Sequence, residues 1–227
     1  MNEMAPIARA KTLKEQAYEV LKGMILTGRL EHGRLHNEKR WAEALGVSRT
    51  PVREALLELS REGMVIFFPG KGFKVREFTA SDIRDVFEVR RIIEGHVIEV
   101  VAGKLTPADL LRLEKIVSRL DRLAAKADRV GFIEADKEFH LYLASKTGNL
   151  QIRDILVNLR DQIHLLGIQA IKQDARMEQV LHEHRRILSA LKAGDADNAR
   201  RELLQHLENT EEILASNASG EAHKGGQ

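Results

Sequence analysis

The fold of this chain is decided by an eleven-residue stretch, Gly46-Val47-Ser48-Arg49-Thr50-Pro51-Val52-Arg53-Glu54-Ala55-Leu56. The stretch combines a glycine that suits a turn, a serine that can cap a helix and a proline that the first helical turn tolerates. Arg49 and Arg53 are four residues apart, so a helix presents both side chains on one face. This pattern is typical of the turn and recognition helix of a DNA-binding domain.

The segments around this stretch complete a winged helix-turn-helix. Apolar residues at three- and four-residue steps predict one helix before it, an Asn-capped short helix leads into it, and two apolar runs around a glycine turn follow it. The predicted helices are Leu13–Leu26, Glu38–Leu45 and the segment from Ser48 to Gly63, and the predicted strands are Met64–Phe68 and Phe73–Val75. In such a domain the third helix enters the major groove of DNA.

From Ala80 onward the apolar periodicity is helical throughout. The predicted helices span 80–102, 106–127, 130–146, 150–172, 174–193 and 195–215. The fold class is therefore mainly α, with an N-terminal winged helix-turn-helix and a C-terminal all-helical bundle. The predicted domain organisation is a flexible N-terminus at 1–11, a DNA-binding domain at 12–76, a helical effector-binding and dimerisation domain at 77–215, and a disordered Gly/Ser-rich tail at 216–227.

Composition and charge agree with this division. The chain has 227 residues, enough for two modest domains, and its aromatic content of only 4% favours helix over strand. Cysteine is absent, which excludes disulfides and thiolate metal sites. Residues 1–76 carry a net charge of +5 and the remainder −3, as suits a DNA reader joined to a separate module. No segment resembles a signal peptide or a membrane span, so we expect a cytoplasmic protein without membrane contact.

With these residues in view, the chain resembles the GntR family of bacterial transcription regulators, in the FadR-type branch whose C-terminal ligand-binding domain is the all-helical FCD domain. The N-terminal resemblance rests on the 46–56 stretch, Leu59, Glu62-Gly63 and the wing glycines Gly70 and Gly72. The C-terminal resemblance rests on shorter ordered matches, Val89-Arg90-Arg91-Ile92-Ile93-Glu94, Asp136-Lys137-Glu138-Phe139-His140, Glu183-His184, Ala190-Leu191-Lys192-Ala193-Gly194-Asp195 and His206. The resemblance implies a ligand-responsive, sequence-specific DNA-binding regulator, expected to be a repressor and not an enzyme.

The recognition helix offers two arginines for reading bases. An arginine fork can bond the O6 and N7 acceptors of guanine, so Arg49 and Arg53 are the candidates for base readout. The competing interpretation is a solvated face, or pairing with Glu54 and Glu58. The resemblance further implies that Lys39, Ser48 and Thr50 meet phosphate or base edges, and that Gly70 and Lys71 at the wing tip approach the minor groove. One such domain buries too little surface for tight binding, so we expect a homodimer on a palindromic operator.

Four residues of the second half form a candidate metal site. Asp136 and His140 are four residues apart on one predicted helix and point into the same volume. The resemblance to metal-binding FCD domains adds His184 and His206, on later helices, and favours the site over an ordinary helical hydrogen-bonded pair. One carboxylate and three imidazoles suit Zn²⁺ or Ni²⁺ best, with Mn²⁺ or Fe²⁺ as further candidates. His182 is expected on the surface, and His164 is expected in the core, with a pocket or ligand role as the alternatives.

Arg90 is the first candidate for binding an effector carboxylate, with Arg91 second. Its competing interpretation is a pair with Glu94 on the same helix. The resemblance implies a small organic acid, a carboxylate metabolite that can bridge a guanidinium and a metal ion.

Two other functions remain as alternatives: a metal-dependent hydrolase with a DNA-binding localisation domain, and an architectural DNA-binding module whose helical half only dimerises. No recognisable general-base motif such as HExxH supports the hydrolase.

Overall fold

The computed structural model describes residues 10–170 and 174–222, of which 166–170, 174–175 and 219–222 are described by their backbone alone. The described part contains nine helices and one two-stranded sheet. The chain divides into two compact units, Met1–Glu77 and Phe78–Gln227. The described helices are α1 (Leu13–Leu26), α2 (Glu38–Ala44), α3 (Arg49–Arg61), α4 (Ala80–Val101), α5 (Pro107–Ala125), α6 (Arg129–Ser145), α7 (Leu150–Ala170), α8 (Asp174–Lys192) and α9 (Ala196–Ala222), and the strands are β1 (Val65–Phe68) and β2 (Gly72–Val75).

The N-terminal unit packs α1, α2 and the hairpin around α3. Apolar residues at helical spacing bury one face of α3, and they meet the buried face of α1. The members of this core that are fully buried include Leu21, Ile25, Val52, Leu56, Leu59, Met64 and Phe73. The antiparallel strands pair Val65 with Val75 and Phe68 with Gly72. The predicted winged helix-turn-helix is confirmed.

A third extended segment pairs with the wing. His36 and Phe73 exchange backbone hydrogen bonds of 2.7 and 3.0 Å, and their rings stack. Gly72 allows this approach, because a Cβ on it would lie 2.0 Å from the carbonyl oxygen of His36 and its φ is +134°. An L-residue with a side chain is strained at such a φ. The wing is thus anchored to the segment that precedes α2.

The C-terminal unit is all-helical, as predicted. Capping boxes open two of its helices: Thr79 with Asp82 begins α4, and Thr106 with Asp109 begins α5. Helix α9 packs against α4 and α8, while α6 packs against α5 and α7. One continuous apolar core results, whose fully buried members include Ile83, Phe87, Leu120, Phe139, Ile187 and Leu207. The site described below lies where α4, α6, α8 and α9 face one another.

The tail prediction was wrong for residues 216–222. Composition suggested that the chain becomes disordered after residue 215, but α9 continues to Ala222. Leu214 is buried and Ala218 packs against the core, so apolar contacts outweigh the low helix propensity of the Ser, Asn and Gly residues there. The remainder of that prediction, 223–227, and most of the flexible N-terminus, 1–9, lie outside the described residues.

None of the described helices is long and apolar enough to cross a lipid bilayer.

Candidate functional site

The four candidate metal ligands lie together. Asp136 and His140 extend from α6, His184 from α8 and His206 from α9, and their ligand atoms all lie within 4.8 Å of one another. The Nε2 atoms surround one carboxylate oxygen, Asp136 Oδ1, at 3.2 Å from His184, 3.8 Å from His140 and 4.0 Å from His206. The three imidazoles are at most 3% exposed. The three helices therefore bring the donors to one point.

Each imidazole uses its other nitrogen for a hydrogen bond away from this point. Nδ1 of His140 contacts Glu94 of α4, and Nδ1 of His206 lies 2.7 Å from Oε2 of Glu183. A carboxylate can only accept, so both Nδ1 atoms donate, and in a neutral ring Nε2 then keeps its lone pair. A ligating histidine in proteins almost always has such an acceptor behind it.

His184 follows the same arrangement with a backbone partner. Its Nδ1 donates to the carbonyl oxygen of Val180 over 2.9 Å, one helical turn earlier. Within the described residues, Nε2 of His184 and Nε2 of His140 are buried and form no well-aligned hydrogen bond, although Asp136 Oδ1 lies 3.2 and 3.8 Å from them. A buried polar atom without a partner is costly and calls for a specific explanation. A cation at the centre of the cluster would satisfy these lone pairs.

The charge states at the cluster suit metal coordination. Burial, aided by the neighbouring His184 and His140, lowers the pKa of His206 to about 3, so its ring is neutral near pH 7. Burial alone would raise the pKa of Asp136, but the guanidinium of Arg160 holds it well below its ordinary value. Metal binding requires neutral imidazoles and an ionised carboxylate. The cluster offers His206 and Asp136 in those forms.

The donor geometry also fits a transition metal. Donors at about 2.1 Å from one ion lie at most ~4.2 Å apart, so shifts of less than ~1 Å would bring all four onto a single ion. Three nitrogens and one oxygen suit zinc, nickel or iron better than calcium or magnesium, which prefer oxygen ligands. The residues present therefore fit a divalent transition metal.

A cavity adjoins the cluster and is lined by three arginines. Its volume is about 70 Å³, and its polar wall includes Asp136 and His206 together with Arg90, Arg160 and Arg176. Arg90 is fully buried, and its Nε donates to Glu94 over 2.6 Å. Among the described residues, Nη1 and Nη2 of Arg90 have no hydrogen-bond partner. The apolar part of the lining consists of Phe132, Ile133, Ile163, Val180, Ile213 and Leu214.

The cavity arginines are held by carboxylates. Burial lowers the pKa of Arg90 to about 10, which leaves the guanidinium charged at pH 7. Arg160 pairs with Asp136. Arg176 contacts both carboxylate oxygens of Glu183, at 2.9 and 3.2 Å. The polar wall thus presents fixed positive groups beside the four-residue cluster, an arrangement suited to an anion.

The structure also places the remaining candidates of the C-terminal unit, which are Arg91, His182 and His164. Arg91 forms an ion pair with Glu211 and does not line the cavity that Arg90 lines. His182 is exposed, as expected. His164 is buried, as expected for a core residue, with its Nδ1 3.0 Å from Oε1 of Glu134, outside the four-residue cluster.

Sequence reasoning missed three polar residues of the site. Arg176 and Glu183 are seven residues apart on α8, so a search for charged pairs on one helix face could have found them. Arg160 gives no comparable signal, because it reaches Asp136 from a different helix. Pairing between helices depends on tertiary packing that local patterns do not encode.

The candidate DNA-contacting residues of the N-terminal unit are all exposed. Ser48 is the N-cap of α3, but its side chain makes no capping hydrogen bond. Arg49, Thr50 and Arg53 are exposed on α3, and the guanidinium of Arg53 lies 5.8 Å from the ring centroid of Phe67. No ion pair of Arg49 or Arg53 is found in the part of the chain that the structure describes. The exposed residues elsewhere are Lys39 on α2 and Gly70 and Lys71 at the hairpin turn.

Comparison with protein families assigns both units. The model of the bacterial regulatory proteins of the gntR family matches residues 13–75, and the FCD domain model matches residues 85–209. The chain belongs to the GntR family and carries an FCD domain. It is therefore a transcriptional regulator of this family, with a DNA-binding helix-turn-helix followed by the helical domain that contains the cluster.

Similar proteins agree with this assignment. The uncharacterized HTH-type transcriptional regulator YdhC of Bacillus subtilis is 30% identical over 84% of this chain and 86% of its own length. The HTH-type transcriptional repressor RspR of Escherichia coli is 27% identical over 89% of each chain. The solved structure of E. coli McbR/YncC superimposes with a TM-score of 0.79 at 25% identity, covering 91% of this chain and 99% of that one. Both curated relatives are named as transcriptional regulators or repressors.

Proposed function

We propose that this regulator is a homodimeric repressor whose DNA affinity responds to a divalent transition metal and a small organic acid bound in its FCD domain. Asp136, His140, His184 and His206 would hold the metal. The adjoining cavity would hold the acid, and α3 with the wing would read a palindromic operator. The repressor role is supported by the similarity to RspR, which is named a repressor.

One observation carries the metal assignment. All three imidazoles direct Nε2 toward Asp136 Oδ1 while Nδ1 is engaged elsewhere, and two of these Nε2 atoms are buried without a well-aligned hydrogen bond among the described residues. A buried polar atom without such a bond is costly, and a cation at this point would offset that cost. When bound, the metal would supply positive charge and open coordination positions at the edge of the cavity.

The neighbouring guanidiniums support the choice of an acid as the effector. Arg90 presents two nitrogens, Nη1 and Nη2, that can donate together to the two oxygens of a carboxylate. Because the cavity also borders Asp136 and His206, an acid bound to Arg90 could reach the metal. The apolar part of the lining favours an acid with a hydrocarbon portion.

The DNA assignment rests on α3 and on the family. Arg49 and Arg53 are exposed on one face of the helix, four residues apart, and no described carboxylate neutralises them. Such a pair can donate to guanines of one half-site, while Ser48, Thr50, Lys39 and the wing tip fix the position on phosphates. Two copies would read the two halves of a palindrome.

A calorimetric titration tests the metal site. The full-length protein is stripped with a chelator and titrated with Ni²⁺ and with Zn²⁺, beside the variants His184→Ala and His182→Ala. We expect one saturable site per chain in the parent and in His182→Ala, whose imidazole is exposed on the same helix. His184→Ala should lose at least tenfold in affinity, because a ligand is removed. Equal affinities in the two variants would refute the assignment.

A further inference from the structure

Two chains of three side chains run from the cavity to the metal ligands. In the first, Arg90 bonds Glu94 and Glu94 bonds Nδ1 of His140. In the second, Arg176 bonds Glu183 and Glu183 bonds Nδ1 of His206. Each chain has the order arginine, glutamate, histidine, and each of its arginines lines the cavity.

The two chains are built from different helices. Arg90 and Glu94 lie on α4 and reach His140 on α6, whereas Arg176 and Glu183 lie on α8 and reach His206 on α9. No local sequence repeat produces this similarity. The common arrangement follows from what a buried histidine ligand needs, an acceptor for Nδ1 and a countercharge for that acceptor.

Both glutamates are buried and held on two sides. Glu94 is 3% exposed and Glu183 is 4% exposed. Each accepts from an arginine on one side and from an imidazole Nδ1 on the other. A carboxylate fixed by a guanidinium is a strong and well-placed acceptor for an imidazole N–H.

We infer that Glu94 and Glu183 are paired positioning residues: they fix the rings of His140 and His206 with Nε2 toward the metal and, through Arg90 and Arg176, tie these ligands to the wall of the effector cavity. This inference rests on the proposed metal site. It gives a role to Glu183, which stands beside a ligand in the sequence but does not bind the metal itself. His184 differs, because its Nδ1 partner is a neutral backbone carbonyl.

Tautomers offer the first test. Long-range proton–nitrogen NMR spectra of the chelator-treated full chain, assigned with His140→Gln and His206→Gln, report which ring nitrogen carries the proton. We expect both histidines to be protonated on Nδ1. Protonation of His140 on Nε2 would overturn the inference for Glu94, and protonation of His206 on Nε2 would overturn it for Glu183. Both outcomes count whether or not the protein binds metal.

Metal affinity offers the second test. We compare Ni²⁺ binding by the full-length variants Glu94→Gln and Glu183→Gln with Glu88→Gln and Glu178→Gln, which change the charge equally at exposed positions of α4 and α8. The first two variants should bind Ni²⁺ about 10–100-fold more weakly, the usual effect of removing such a partner. The two control variants should bind like the parent.

Thermal unfolding of the chelator-treated variants separates positioning from a purely structural role. If Glu183→Gln lowers the melting temperature while its folded form binds Ni²⁺ as tightly as the parent, Glu183 only supports the fold and the inference is wrong. If the parent itself binds neither Ni²⁺ nor Zn²⁺, the proposed function fails first. Parent binding with unchanged affinity in both glutamine variants rejects the positioning inference alone.

Discussion

At the scale of single residues, the site separates groups that would touch a ligand from groups that hold them. Asp136 and the three histidines converge, while Glu94 and Glu183 stand behind two of the rings. Among the described residues, the Nη atoms of Arg90 are buried without a hydrogen-bond partner. The same residue pairs with Glu94 through Nε, as its competing interpretation from sequence predicts, and its role in binding an effector stays a prediction.

Replacing Arg90 by lysine should separate its ion pair with Glu94 from its proposed binding of a carboxylate. Lysine keeps the positive charge beside Glu94 but removes the planar donor pair. We expect the acid that gives the largest shift in a thermal-shift screen of the metal-loaded protein to bind Arg90→Lys at least tenfold more weakly, a loss of ~1.4 kcal/mol. Arg91→Lys is the matched control, because Arg91 pairs with Glu211 instead. Equal losses in both variants would argue against a ligand at Arg90.

Gly72 provides a prediction for the wing. Gly72→Ala should lower the free energy of unfolding by at least ~2 kcal/mol, because the new Cβ meets the carbonyl of His36 and φ is positive. Gly23→Ala is the control: its Cβ would have nothing within 4 Å, and alanine favours helix by ~0.5–1 kcal/mol. Chemical denaturation of both variants measures the difference. A Gly72 variant as stable as the parent would contradict the close approach.

At the scale of elements, N-cap side chains that can be recognised in the sequence determine where helices begin. Thr106→Ala removes the capping hydrogen bonds of α5 and should cost ~1 kcal/mol of stability. Ser48→Ala should cost little stability, because Ser48 makes no capping bond, yet it should weaken DNA binding by losing a phosphate contact. Denaturation and DNA titration of both variants check this pair. A stability loss at Ser48 equal to that at Thr106 would show that its hydroxyl caps α3 after all.

Helix α3 carries the prediction for specificity. Arg53→Ala should remove ~1–3 kcal/mol of discrimination at one base pair of the operator. Arg61→Ala is the control, since Arg61 is exposed in the last turn of the same helix. Binding to operator duplexes with single base substitutions measures the effect. Unchanged base preference in Arg53→Ala would exclude it from base readout.

The elements were largely predictable from sequence, and the site only in part. Helix α1 has the predicted bounds because glycines and a capping box mark its ends. The end of α9 was missed because the packing of Ala218 is a tertiary effect. The spacing of Asp136 and His140 predicts a shared volume, but the arrival of Arg160 and Arg176 depends on how separate helices pack. Local patterns specify faces, and packing decides which faces meet.

At the scale of the whole molecule, the account joins a DNA-reading unit and a ligand-binding unit in one regulator. The family models match both units, and McbR/YncC shares the fold over nearly the whole chain. For the two units to act together, ligand in the FCD domain must change DNA affinity by a coupling free energy, typically ~1–3 kcal/mol. This coupling distinguishes a ligand-responsive regulator from an architectural DNA-binding module.

The most direct measurement is DNA binding by the full-length protein with and without its ligands. An operator is selected from random duplexes, and its dissociation constant is measured for the chelator-treated protein, with Ni²⁺ or Zn²⁺, and with metal plus each acid of a carboxylate panel. The account predicts a preferred palindromic duplex, a change of at least ~5-fold with metal and one acid, and no change in His184→Ala. Absence of any duplex preference, or an identical response in His184→Ala, would contradict it.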